Sequence, residues 1–231
     1  MERYRRLRAL TSELNHRMIK TIPRQAYDEV GDAIGILHDG VLVLDSEDMS
    51  GVLMDCCIYD WFQGGRNLVQ QYAAAHPAKP GTEEDYILSA LVQAKYRVLV
   101  SQSAVPDAGI HCRDALSGEG LFLMDVAFSH SLGDKSAVLA TRTIPLGEYW
   151  MSGGAALPVH TPSIIKHALR RPDNEGYESI ETPGVPLLIV RACLAAGAAD
   201  YIRYEGTAGK LTKARREPRW PGSKRRRHLP Q

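Results

Sequence analysis

No stretch of this chain approaches the about 20 consecutive apolar residues that a membrane-spanning helix needs. The arginine-rich start (Arg3, Arg5, Arg6, Arg8) is not followed by the apolar run of a secretory signal. Together these absences lead to the expectation of a cytoplasmic protein with no membrane partner. Cysteine is sparse as well. Cys56, Cys57, Cys112 and Cys193 show no CxxC spacing. Adjacent Cys56 and Cys57 rarely bond to each other, because a disulfide wants a Cα separation near ~5.5 Å. In a reducing compartment the four read as small buried hydrophobes.

Motifs with a defined chemistry are missing too. Eight histidines (His16, His38, His76, His111, His130, His160, His167, His228) form no HExxH or other close metal pair. His111 and Cys112 are neighbours in a strand-like segment and so point to opposite faces. Gly64-Gly65-Arg66-Asn67 and Ser152-Gly153-Gly154-Ala155 fit neither a Walker A nor a GxGxxG pattern. Ser129 and Ser131 flank His130 without a nucleophile elbow. The acidic set Asp45, Glu47, Asp48, Asp55 and Asp60 contains paired carboxylates, but its first three members sit where a helix N-terminus favours anions. We therefore expect no metal and no cofactor.

What is present is charge, unevenly placed. The 231 residues carry a net charge of only +1. Residues 1–24 hold +5, residues 25–205 hold −12, and residues 206–231 hold +8. Basic ends on an acidic body either reach a polyanion or fold back on that body.

The hydrophobic pattern predicts an α+β fold: N-terminal helices, a small antiparallel β-sheet or partly closed barrel, closing helices and a flexible basic tail. Leu7, Leu10, Leu14 and Met18 recur at helical spacing over residues 2–20, and Pro23 ends that helix. A weaker helix is predicted over 24–38. Val41–Leu44 is a short strand or a connection between helices. A helix from Asp45 or Ser46 to about Phe62 would bury Val52, Leu53, Cys56 and Trp61. Another starts near Arg66, and Thr82 with Asp85 opens a third, running to about Lys95. The texture then becomes strand-like over 96–102, 110–116, 120–128, 137–144 and 148–152, with Ser117-Gly118 as a hairpin turn. Helices return at 163–170 and 186–199. The expected organisation is a helical region at 1–95, a β-sheet or barrel at 96–158, closing helices at 159–205 and the tail at 206–231. That tail has only Leu211, Trp220 and Leu229 as large apolar residues, too few to offset the entropy of ordering it.

The middle of the chain carries a recognisable pattern: Tyr96-x-Val98, Gly109-Ile110-x-Cys112-Arg113-Asp114-x-Leu116-Ser117-Gly118-Glu119, Asp125, then Val138-Leu139-Ala140-x-Arg142-x-Ile144-Pro145. Over roughly residues 50–158 it resembles a domain of bacterial proteins of unknown function. Those proteins place helices before it and a C-terminal SEC-C-type zinc motif after it. The tail, Arg215-Arg216-Glu217-Pro218-Arg219-Trp220-Pro221-Gly222-Ser223-Lys224-Arg225, is similar to that motif in its proline, Gly-Ser and basic run. Arg219 and Pro221 stand where two cysteine ligands belong, and His228 alone remains as a ligand type. A structural zinc site takes four Cys or His ligands, so the resemblance implies a motif without its metal. In the preprotein translocase ATPase such a motif docks partners, including the ribosome, and the resemblance implies a comparable contact here.

Two functions follow as expectations. The first is a non-enzymatic binding or adaptor protein whose tail contacts RNA, the ribosome or an acidic protein partner. Lys210, Lys213, Arg215, Arg216, Arg219, Lys224, Arg225, Arg226 and Arg227 would meet phosphates, and Trp220 would stack on a base. The alternative is an enzyme with a site between the helical region and the sheet, drawing on Asp55, Asp60, Arg66, His111 and Arg113.

Overall fold

A computed structural model describes residues 1–44, 47–132, 136–171 and 176–198, with the side chains of 47 and 48 excepted. The fold is α+β. Helix α1 (Glu2–Ile19) buries Leu7, Leu14 and Met18 on one stripe, as the spacing predicts. Helix α2 (Arg24–Ile34) stops four residues before its expected end because Gly35 takes a left-handed conformation, φ 81°, and caps it. The apolar run after it forms a hairpin, β1 (Leu37–His38) with β2 (Val41–Leu42). Helix α3 (Glu47–Tyr59) buries Val52, Leu53 and Cys56, and Trp61 is buried just beyond its end. Gly64 and Gly65 turn a second small hairpin, β3 (Phe62–Gln63) with β4 (Arg66–Asn67). Asn67 then caps α4 (Leu68–Ala75) in a reciprocal box with Gln70. Thr82 caps α5 (Glu83–Val92) by accepting from the Asp85 amide at 3.2 Å.

The sheet follows. Strands β5 (Lys95–Val105), β6 (Gly109–Asp114) and β7 (Gly120–Met124) form a meander. A short helix, α6 (Val126–Leu132), replaces the far half of the strand expected over 120–128. Asp125 caps it by accepting from the Phe128 amide at 3.0 Å. Strand β8 (Val138–Leu146) returns along β5 and turns at Gly147 into β9 (Tyr149–Ser152). Strand β9 also lies parallel to β7, pairing Leu123 with Trp150 and Met124 with Met151. This mixed pairing closes β5, β6, β7, β9 and β8 into a small barrel. Strand β10 (Leu157–Pro158) adds to β8 outside it. Helices α7 (Pro162–Ala168) and α8 (Val185–Ala195) complete the described chain.

Strand alternation divides the barrel residues between two environments. Leu99, Ile110, Cys112, Leu121 and Leu123 cluster with Leu132 of α6 in one core. Tyr96, Val98 and Ala140 belong to the core that contains α2, α3, α7 and α8. Ile144 and Met151 pack with α1, α4 and α5. The barrel is thereby pressed against a helical layer on part of its outer face. Among the described residues no helix is long and apolar enough to cross a membrane.

Candidate functional site

Asp55 and Tyr59 lie four residues apart on α3 and share a face; Asp60 follows at the end of the helix, its amide donating to the Cys56 carbonyl at 2.8 Å. That face meets β8 where Arg142 stands opposite Tyr96 in the register. Arg142 Nη2 donates to Asp60 Oδ2 at 2.5 Å and to Asp55 Oδ2 at 3.1 Å, and its Nε reaches Asp55 Oδ2 at 3.2 Å. The guanidinium carbon lies 4.5 Å from the Tyr59 ring centroid and 5.0 Å from that of Tyr96. The Arg142 side chain is only 4% exposed. A buried cation is thus held by two carboxylates and two aromatic rings.

A second buried arginine stands on the neighbouring strand. Arg97 follows Tyr96 on β5 and therefore faces the opposite way. Its Nη1 donates to Asp114 Oδ2 at 2.9 Å and to Glu119 Oε2 at 2.8 Å, and its guanidinium carbon sits 4.5 Å from the Trp150 ring centroid. Asp114 is fixed by its other oxygen, which accepts from the Leu116 amide at 2.9 Å in the β6–β7 turn.

Both clusters open on one cleft of about 420 Å³, between the end of α3, the start of β5, the β6–β7 turn and the loop before α8. That volume suits a small ligand. Lys95, paired with Glu181 at 2.9 Å, stands at its rim. Counting Asp55 behind the wall, three cations face five carboxylates, a formal charge of −2. The Tyr59 and Tyr96 hydroxyls and Arg97 Nε are buried without a hydrogen-bond partner among the described residues. The cleft wall therefore has unused hydrogen-bonding capacity, which is uncommon for buried polar atoms.

Burial governs the protonation of this site. It raises the Asp60 carboxyl to about 6 against the pull of Arg142, and it raises Asp55 as well. Burial opposes the charge on Arg142, but Asp60 and Asp55 outweigh it and hold the guanidinium protonated. The Cys56 thiol is pushed well up by burial and then by Asp60 and Asp55. Asp55, Cys56 and Asp60 place one potential ligand atom each within 4.8 Å of one another. Both carboxylates, however, already accept from Arg142, which supplies the positive charge a metal ion would bring.

Of the residues singled out for an enzymatic site, the structure brings Asp55 and Asp60 together and separates the rest. Arg66 is exposed on the β3–β4 hairpin outside the cleft wall. His111 and Arg113 are exposed on the outer face of the barrel. Asp45 lies outside the described residues, and so does the whole tail, from Lys210 through Arg227 with Trp220. Arg97 and Arg142 were not candidates, although a lone arginine inside an apolar strand was a visible signal. Arg142, Asp114 and Glu119 do stand within the pattern that carried the family resemblance.

No curated protein and no solved structure matches the chain. The profile of a family described as of unknown function, DUF7986, matches residues 1–172. That span includes both arginine clusters and stops short of Glu181 and the tail. With about three quarters of its length matched, this chain belongs to the family of unknown function DUF7986.

Proposed function

We propose that this chain is a cytoplasmic binding protein with two contact regions, a cleft for a small organic cation and a basic tail for a polyanionic or acidic partner. The cleft reading rests on one observation: each buried arginine is met by two carboxylates, which leaves the cleft at −2. A low-dielectric cleft of one sign concentrates ligands of the other. Amines and guanidinium compounds fit that charge and can donate to Glu119, half-exposed at the rim. Isothermal titration of the full chain with putrescine, arginine amide and malate tests it. Binding of the cations, weakened at least about tenfold by Glu119→Gln, is expected. Preference for malate, or no heat with any of the three, refutes it. Turnover of a bound cation would make the protein an enzyme, with Asp60 its first candidate acid.

The tail reading is favoured by +8 in residues 206–231 beside a −12 body. RNA, the ribosome or an acidic protein would be the partner, and the likeness of Pro218 to Arg225 to a zinc-free SEC-C-type motif supports docking. Binding to RNA through six of the tail cations gives a salt slope near −4, roughly 0.7 per phosphate contact. Titration of RNA against the full chain and a chain ending at Glu205 decides: equal affinities, or no salt dependence, would sink it.

A further inference from the structure

The outer face of the barrel is not covered everywhere by helices. Where it is open, strand alternation should present polar side chains to water. It presents aromatic rings instead. His111 on β6 pairs directly with Phe122 on β7, and the two rings meet edge-on with centroids 4.9 Å apart. Phe122 is followed across the sheet by Tyr149 on β9, centroids 5.8 Å apart, again edge-on. His111 is exposed, Phe122 half-buried and Tyr149 46% exposed. Three rings therefore form one row across three adjacent strands on one face.

A cation lies near each end of this row, Arg113 along β6 from His111 and Arg3 in a groove that includes Tyr149. Arg113 is two residues from His111 on β6, exposed on the same face, and its Nε donates to the Gly118 carbonyl at 3.2 Å. Beyond Tyr149 a groove of about 340 Å³ runs under the start of α1, lined by Arg3, Tyr86, Met124 and Glu148 among others. Arg3 lies over the Tyr86 ring, 5.0 Å from its centroid, and extends the aromatic track. Glu148 is the one carboxylate in that groove wall. The first 24 residues carry +5.

We infer that this face binds single-stranded RNA, with two or three unstacked bases on the His111–Phe122–Tyr149 row and the backbone phosphates towards Arg113 and Arg3. A small sheet bearing exposed aromatics takes bases in this manner, since every base has a π-face and none need be read by its edge. Duplex RNA keeps its bases stacked inside and is excluded from such a row. The face lies apart from the cleft and needs none of its residues. It also differs from the tail in physical character: stacking is insensitive to salt, whereas phosphate contacts weaken steeply with it.

The test is fluorescence anisotropy of a labelled oligouridylate of about ten nucleotides, titrated with the full chain at low and high salt. Phe122→Leu/Tyr149→Leu keeps apolar bulk on the strands and removes the rings. We expect it to weaken binding about tenfold or more, by the same factor at both salt concentrations. His111→Ala, at an exposed position, should weaken binding about fivefold with an unchanged melting temperature, which keeps the test valid if the double variant unfolds. A duplex of equal length should bind far more weakly than the single strand. Unchanged affinity in His111→Ala and the double variant, equal binding of duplex and single strand, or displacement of the RNA by polyglutamate from parent and variant alike would overturn the inference; the last result would leave the tail as the contact.

Discussion

Removing the Arg142 guanidinium should be among the most damaging single changes in this protein. Arg142→Met keeps the aliphatic length of the side chain and deletes its charge. It leaves Asp55 and Asp60 buried, with side chains 10% and 6% exposed and potential ligand oxygens within 4.8 Å of each other. At an effective dielectric of about 20, two unit charges at that distance repel by roughly 3 to 4 kcal/mol. Breaking a buried ion pair from one side typically costs about 3 to 5 kcal/mol, in the same range. For a chain of this size each kcal/mol is worth about 2 to 4 °C in melting temperature, so a drop of roughly 6 to 20 °C is expected at pH 7. The sign of the pH effect follows from the carboxyls. Without Arg142 they are held even further above their ordinary range, so the folded variant regains stability on protonation as pH falls. Thermal melts followed by circular dichroism at pH 7 and pH 5 should therefore show a smaller deficit at pH 5. Replacing all three charges, Asp55→Leu with Asp60→Leu and Arg142→Met, should recover most of the loss. A single variant melting within about 2 °C of the parent at pH 7, or one hurt more at pH 5, would refute this account of the cluster.

Other consequences can be checked with simpler measurements. The Asp60 carboxyl, raised to about 6 from an ordinary 3.8, binds protons better in the folded than in the unfolded chain; its contribution to stability is complete below about 3.8 and is lost as pH rises through about 6. Urea denaturation at pH 4, 5 and 6 should show that falling component in the parent and a flatter profile in Asp60→Asn. A Cβ at Gly109 would stand 2.1 Å from the Leu123 carbonyl oxygen, a backbone atom that cannot swing away. Gly109→Ala should therefore cost about 3 kcal/mol or more, against almost nothing for Gly120→Ala, where no atom lies within 4 Å. Equal urea midpoints for the two would contradict the close approach of the β6 and β7 backbones at Gly109. Burial pushes the Cys57, Cys112 and Cys193 thiols up to about 12, so a disulfide reagent at pH 8 should label none of the four cysteines before unfolding and all of them after. Labelling of native protein would show that one of these side chains reaches solvent.

The helices and strands were legible in the sequence where local signals decide them. The Leu7–Leu14–Met18 stripe, the Thr82 cap and the Ser117-Gly118 turn all specify their elements by contacts within a few residues. The helix starting at Val126 was not legible, because the apolar run from Leu121 to Phe128 reads as one strand until the Asp125 cap is seen. Asp55 and Asp60 stood out as paired carboxylates, yet their partner is 82 and more positions away. What the sequence alone determined is the acidic body between basic ends, from its charge order, and an α+β chain with small, buried cysteines, from its hydrophobic pattern. Only the tertiary structure decided that β9 lies parallel to β7 and closes a barrel, that Arg97 and Arg142 each collect two carboxylates, and that His111, Phe122 and Tyr149 fall in one row. The physical reason is range. Capping, turns and periodicity act over a few residues, whereas charge pairing and ring contacts depend on which distant strands the closed barrel makes neighbours.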